Sequence, residues 1–154
     1  SGGLMKDTGI KQLLASLLAC SFLATGAVSA NDLPDEAILY KDPRCDCCTA
    51  YAHYLETQGV RITIVDDVAL DSIKKRAEVP KNLASCHTLK MGKYWIEGHV
   101  PKKALATLFS KQPDINGIGL VGMPKGSPGM PGAQEAPFKI YEFKNNKDHS
   151  FMTF

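Results

Sequence analysis

Three cysteines fall within four positions, Cys45, Cys47 and Cys48, at a junction between two hydrophobic patterns. Upstream, Glu36–Asp42 (EAILYKD) is a short apolar run stopped by Pro43, the pattern of a strand. Downstream, Cys48, Tyr51, Ala52 and Leu55 recur at i, i+3, i+4 and i+7, and Gly59 supplies a stop. That spacing predicts an amphipathic helix beginning at the thiols. Whatever the chain folds into must carry a thiol cluster at the head of a helix that follows a strand.

The remaining pattern extends this unit. Val60–Asp67 (VRITIVDD) alternates and is β-branched, which predicts a second strand. Asp66 or Asp67 is placed to cap a following helix, Val68–Val79, whose Leu70, Ile73 and Ala77 share a face and which stops before Pro80. His87–Val100 reads as a hairpin turning at Met91-Gly92. Pro101 suits the first turn of a last helix, with Ala104, Leu105, Leu108 and Phe109 on one side. The order β-α-β-α-β-β-α, with the first two strands parallel and the last two antiparallel, predicts an α/β fold with a thioredoxin-like core. In such a core Pro80, ahead of the third strand, is expected to be cis. Gly and Pro dominate from Gln112 to Pro137, which predicts a long loop or a lid. Phe138–Asn146 (FKIYEFKNN) reads as an added C-terminal strand, and the final His149–Phe154 either pairs or frays.

The front of the chain has a different character. Lys6 and Lys11 accompany an apolar run from Leu13 to Ala27, and Val28-Ser29-Ala30 are small. This is the pattern of a secretory signal peptide cleaved after Ala30. Residues 1–4 read as an appended or upstream extension, residues 1–30 as the leader and residues 31–154 as a single domain. In an alternative reading, Leu17–Cys20 is a lipoprotein box and Cys20 carries a lipid anchor; its middle Leu fits poorly, and a good ordinary site lies downstream. Export implies the periplasm, an oxidising compartment, with no membrane attachment once the leader is removed. The net charge is +2, and the longest basic run is Lys74–Arg76, which argues against a nucleic-acid partner. A domain of this length buries its own core and needs no disulfide to fold.

The thiols therefore call for a chemical role. Cys45 and Cys48 have the C-x-x-C spacing of a redox pair, and a helix N-terminus favours the thiolate. Cys47 lies beside both partners and would compete for the disulfide, so a dedicated dithiol oxidoreductase has no use for it. A metal site does. In a thioredoxin-like core the segment after Pro80 packs across from the C-x-x-C, so Cys86 would add a fourth thiolate and His87 an imidazole. Soft thiolates select Cu(I) or Zn(II). One zinc ion asks for four separated tetrahedral ligands, which adjacent Cys47 and Cys48 supply poorly. Crowded cysteines can bridge several Cu(I) ions, so copper is the expected metal. Met123 and Met130 carry soft thioethers in the Gly/Pro segment and could form a lid over the site, or simply belong to its turns. Structural roles compete with each assignment. Two disulfides, such as Cys45–Cys48 with Cys47–Cys86, would occupy all four thiols. His87 could hydrogen-bond within its strand. His53 is expected to be solvated, His99 to order the turn before the last helix, Asp46 to complement the helix dipole, and Trp95 to lie in the core.

Four separated stretches, CDCC, VPKNLASCHT, YWIEGHVP and GIGLVGMPKGSPGM, appear in this order between Ile38 and Met130. Together they resemble the exported domain-of-unknown-function 411 family, the CopG-type copper-resistance proteins. The resemblance implies a thioredoxin-like fold, a periplasmic role in copper resistance, and copper bound by Cys45, Cys47, Cys48, Cys86 and His87. It implies a small cysteine-bridged Cu(I) cluster of several ions per chain, with redox chemistry as a further role. The tail after Pro137 lies outside it. Two functions follow: a copper-binding protein that sequesters the ion or passes it to another periplasmic copper-resistance protein, or an oxidoreductase, copper-dependent or thiol–disulfide.

Overall fold

The computed structural model describes residues 2, 3, 32–66 and 69–154. The leader, its cleavage site, Cys20 and Asp67 lie outside the described residues. The elements run β1 (Glu36–Lys41), α1 (Asp46–Thr57), β2 (Arg61–Val65), α2 (Leu70–Ala77), β3 (His87–Met91), β4 (Tyr94–Glu97), α3 (Lys102–Lys111), β5 (Gly117–Leu120), β6 (Lys139–Lys144) and β7 (Lys147–Thr153). The strands form one sheet in the order β2-β1-β3-β4-β5-β6-β7. β1 and β2 are parallel, while β3 is antiparallel to both β1 and β4. The mixed α/β fold and the order of its first seven elements agree with the sequence pattern.

Alternation along the strands divides the core in two. Leu39, Leu89, Ile96 and Ile118 face one way and join Tyr51, Leu55, Leu105 and Leu108 of α1 and α3 in the larger cluster. The four residues spaced along α1, Cys48, Tyr51, Ala52 and Leu55, are all buried. The neighbouring positions face the other way. There Ala77, Val79 and Leu83 pack with Phe143, and Trp95 joins them half-buried rather than enclosed as expected for a core residue. Lys90 Nζ lies 4.5 Å over its ring.

Several expectations need correction. No peptide bond among the described residues is cis, Pro80 included. Asp66 does not cap α2; it pairs with Lys41 Nζ at 3.0 Å, and the helix starts after Ala69 without a side-chain cap. α2 ends at Ala77, short of Val79, because Glu78 turns left-handed at φ 57°. The Gly/Pro-rich segment is not loop throughout, since it contains β5, parallel to β4 and antiparallel to β6. β5 was hidden by its glycines, and the packing explains them. A Cβ on Gly117 would stand 1.8 Å from the Trp95 carbonyl oxygen. The tail does pair: β7 lies antiparallel to β6.

A buried aromatic stack closes the larger core beneath the start of α1. Tyr51 packs against His87 and His99, each at 5.2 Å between ring centroids, and the two imidazoles are 5.4 Å apart. Tyr51 Oη donates to Val100 O at 2.8 Å. His87 Nε2 lies 3.1 Å from Gly98 O, and His99 Nδ1 lies 2.6 Å from Pro128 O. His99 thus ties down the Gly/Pro segment rather than the turn before α3. Both imidazoles are fully buried, and His87 Nδ1 and His99 Nε2 have no hydrogen-bond partner. Burial, reinforced by neighbouring His99, pushes the His87 pKa down to about 3; burial lowers that of His99 as well.

Two outcomes follow from this packing. Gly117→Ala should destabilise the fold by about 3 kcal/mol, the upper end of overpacking costs, read as a lowered urea midpoint. A midpoint unchanged from the parent would show that β4 and β5 do not approach this closely. The second outcome concerns pH. The unfolded chain protonates His87 near its ordinary value of 6.5, whereas the folded chain keeps it neutral down to about 3. Between those values the unfolded state binds more protons, so this contribution to stability is present above about pH 6.5 and drains away as pH falls toward 3. Reduced, metal-free protein should lose urea resistance over that window, and His87→Phe should lose less. Equal losses in parent and variant would contradict a neutral buried imidazole.

Candidate metal centre

The segment between β1 and α1 is built to present sulfur. Asp42 Oδ1 accepts from the Arg44 backbone N–H at 2.9 Å, and Asp42 O accepts from Cys45 N–H at 3.0 Å. This turn sets Cys45 at the N-cap of α1 in an extended conformation, with no side-chain capping bond. Its sulfur is thereby available to the other cysteines rather than to the helix cap. Cys47 and Cys48 follow in the first turn, and Asp46 supplies the acid expected there. The fourth sulfur comes from the stretch before β3. Register places Lys41 opposite His87, and Asp42 N–H donates to Cys86 O at 3.2 Å. Pairing of β1 with β3 therefore carries Cys86 to the head of α1.

The four cysteine sulfurs, Cys45, Cys47, Cys48 and Cys86, lie within 4.8 Å of one another. Cys45 and Cys48 Sγ are 2.17 Å apart, as a disulfide, with 5.4 Å between their Cα atoms. Cys86 Sγ sits 2.8 Å from Cys45 Sγ and 3.2 Å from Cys48 Sγ. Cys47 Sγ is 3.4 Å from Cys45 Sγ and 3.5 Å from Met123 Sδ. Cys47 and Cys86 are free, so the two-disulfide arrangement is not formed. Cys48 is fully buried and the other three sulfurs come from half-buried residues. The side of the site bearing Cys45 and Cys86 opens to a shallow cleft edged by Asp42 and Arg44.

Proton affinity follows from this crowding. The Cys86 thiol is pushed up to about 11, first by burial, then by the charge of Cys47 and its hydrogen bond; Lys74 opposes the shift. Unaided, Cys86 holds its proton. A soft cation would displace it, because a thiolate is the ligand form and the cation cancels the repulsion between neighbours. The donor set fits a thiophilic metal: four sulfurs from two segments, a thioether in contact and no carboxylate in the group.

Other candidates fall in different places. His87 is not in the four-sulfur group; its ring belongs to the buried stack. Met123 reaches the site from a backbone with φ 49°, an unusual conformation for a side-chain-bearing residue. Met130 closes a turn, its N–H donating to Ser127 O at 2.9 Å. His53 is exposed and lies 3.0 Å from Glu56, as expected of a solvated residue. Sequence reasoning missed Lys74 and Glu97, an ion pair beneath β3 and β4 in which Glu97 is fully buried. Lys74 stands in the basic run Lys74–Arg76, where nothing in the local sequence sets it apart from its neighbours. A hint was available in Glu97 itself, a lone acid among the apolar residues of the hairpin.

Residues 83–130 match the family model described as "Protein of unknown function, DUF411". That match includes Cys86, His87, Met123 and Met130 and begins after the C-x-C-C. Two solved structures, titled "Copper resistance protein copG- Form 1" and "Copper resistance protein copG- Form 2", are similar with TM-scores of 0.71 and 0.70. Each is 28% identical, and each comparison covers 79% of this chain and 98% of the other. No curated protein matches the sequence. Among the described residues no helix is long and apolar enough to cross a membrane. The family match thus covers one half of the motif set, and the structural likeness to the two copper resistance proteins extends over most of the chain.

Proposed function

We propose that this chain is a periplasmic copper-binding protein of copper resistance, exported by a leader cleaved after Ala30, whose residues 31–154 form one thioredoxin-like domain. The thioredoxin-like assignment is supported by the order β2-β1-β3-β4, with β1 parallel to β2 and antiparallel to β3, and by the thiols at the head of α1. The single observation that carries the copper reading is the convergence of four sulfurs from Cys45, Cys47, Cys48 and Cys86. In this reading those thiolates bind Cu(I), and Met123 adds a thioether through its contact with Cys47. His87 is assigned to the aromatic stack and Met130 to its turn. Adjacent Cys47 and Cys48 favour several bridged Cu(I) ions over one tetrahedral zinc. The titles of the two similar structures point the same way. The physiological partner is another periplasmic copper-resistance protein that gives or takes the ion.

A second reading rests on one specific contact. The Cys45–Cys48 disulfide has a free thiol, Cys86, at 2.8 Å from one of its sulfurs, which suits thiol–disulfide exchange. The high proton affinity of Cys86 opposes it, since the thiolate is the nucleophile.

Anaerobic titration with elemental analysis separates the two. Fully reduced protein should take up more than one Cu(I) per chain and hold Zn(II) weakly, whereas a single tight Zn(II) with no room for a second metal would refute the multinuclear reading. Cys86→Ser and Cys47→Ser should lower the copper count to similar extents, because both sulfurs belong to one site. Metal-free protein should reduce insulin disulfides poorly, with Cys47→Ala the more active of the two. Brisk turnover by the metal-free parent would favour the exchange reading instead.

A further inference from the structure

Three of the four sulfurs ride on one helix end, and Cys86 must be brought to them from another segment. The backbone on either side of it is bonded to one charge pair on the α2 side of the sheet. Glu97 Oε1 accepts from Ser85 N–H at 2.6 Å and from Ser85 Oγ at 3.0 Å, and Glu97 Oε2 accepts from Thr88 Oγ1 at 2.8 Å. Lys74 is ion-paired with Glu97 and donates to His87 O at 3.0 Å and to Thr88 Oγ1 at 2.9 Å. His87 O, 2.8 Å from Ser85 Oγ, is an alternative acceptor for the same hydroxyl proton. Cys86 O is bonded to the end of β1 through Asp42 N–H. Residues before, at and after the cysteine are therefore all anchored.

The pair is deep, with the Glu97 side chain fully buried and that of Lys74 only 12% exposed. Burial pushes the Glu97 carboxyl up, and Lys74 with its other hydrogen-bond donors pulls it back. An ion pair at such depth contributes little net stability over apolar residues of the same size, because both charges leave water. What it does contribute is direction: charged groups accept and donate several short bonds at fixed angles. We infer that Lys74 and Glu97 are positioning residues for the sulfur cluster, fixing the Ser85-Cys86-His87 backbone so that the Cys86 sulfur meets those of Cys45 and Cys48. The inference rests on the copper reading for its functional meaning, but the geometry it claims is independent of metal.

The test reads that geometry directly. In full-length Cys20→Ser/Cys47→Ser/Cys48→Ser protein, equilibrium with glutathione converts the Cys45 and Cys86 thiols and one oxidised glutathione into a Cys45–Cys86 disulfide and two reduced glutathiones. Peptide mass spectrometry reports the fraction formed. Lys74→Met/Glu97→Gln removes both charges together and leaves no orphan charge. It should lower the equilibrium constant about tenfold, the scale of losing one or two hydrogen bonds to charged groups. Lys74→Arg, which keeps the charge and the donors, should stay within about threefold. Asn116→Ala removes bonds to Ala77 O and Glu78 at the C-terminal end of α2 without touching the Ser85–Thr88 backbone, and controls for general loosening. It too should stay within about threefold. With the four cysteines of the site present, the double variant should also bind no more Cu(I) than Cys86→Ser. If the double variant does not fold, Glu97→Gln alone is read in the same way. A disulfide constant within threefold of the parent in the charge-removed variant, or an equal fall in Asn116→Ala, would overturn the proposal. A parent that takes up no Cu(I) but shows the expected disulfide pattern would refute the copper reading and leave the positioning role standing.

Discussion

Four sulfurs within 4.8 Å cannot all carry a negative charge unless a cation sits among them. The rest of the site answers to that constraint. Protonation is one way of meeting it, and the Cys86 thiol, with its raised proton affinity, shows it in operation. A covalent bond is a second, and Cys45 with Cys48 show that. A soft metal is the third, and it alone uses all four donors at once. Reduced and without a cation, four such thiols have little to draw them together, so the fold has to impose the cluster.

It does so by joining short-range and long-range devices. The local part is the Asp42 turn, which places Cys45 at the N-cap and leads Cys47 and Cys48 into the first turn of α1. The helix N-terminus then favours whatever thiolate character the site acquires. The distant part is the pairing of β1 with β3, which puts Lys41 opposite His87 and so brings Cys86 alongside. Beneath the sulfurs, Tyr51 stacks with His87 and His99, joining α1 to the strand that follows Cys86 and, through Pro128, to the segment that carries Met123. Helix, strand and loop thus meet in one buried layer directly below the site.

Much of this was legible because the responsible signals are local. The period of Cys48, Tyr51, Ala52 and Leu55 requires a helix, and their complete burial follows from it. The cysteine motif marked the site, and the order of elements predicted which distant segment would face it. What could not be read depended on atoms far apart in sequence. β5 looks like loop because Gly117 is dictated by the Trp95 carbonyl, a contact that no window around Gly117 contains. Lys74 looks like part of a solvated basic run until β4 brings Glu97 beneath α2. From its neighbours alone His99 is expected to order the turn beside it, yet its bond is to Pro128, in a segment whose course has no periodic signature. The misplaced cap at Asp66 is the same lesson on a smaller scale, for Lys41 competes for that carboxylate from the neighbouring strand.

The two functional readings draw on one set of atoms, and this links them. Closing the Cys45–Cys48 disulfide removes two of the four cysteine donors and leaves Cys47, Cys86 and Met123 as the remaining soft groups. Opening it restores the two, both within reach of Cys86. Metal affinity and disulfide stability are therefore coupled by mass action: a cation that binds the reduced form favours reduction, and an oxidant that closes the disulfide disfavours binding. The third thiol in the motif has a physical meaning in this balance. Cys47 lies 3.4 Å from Cys45 but outside the disulfide, so a sulfur stays on the helix end in either redox state. A simple C-x-x-C would lose every donor on that segment when oxidised, whereas this arrangement keeps one beside Met123 and across from Cys86.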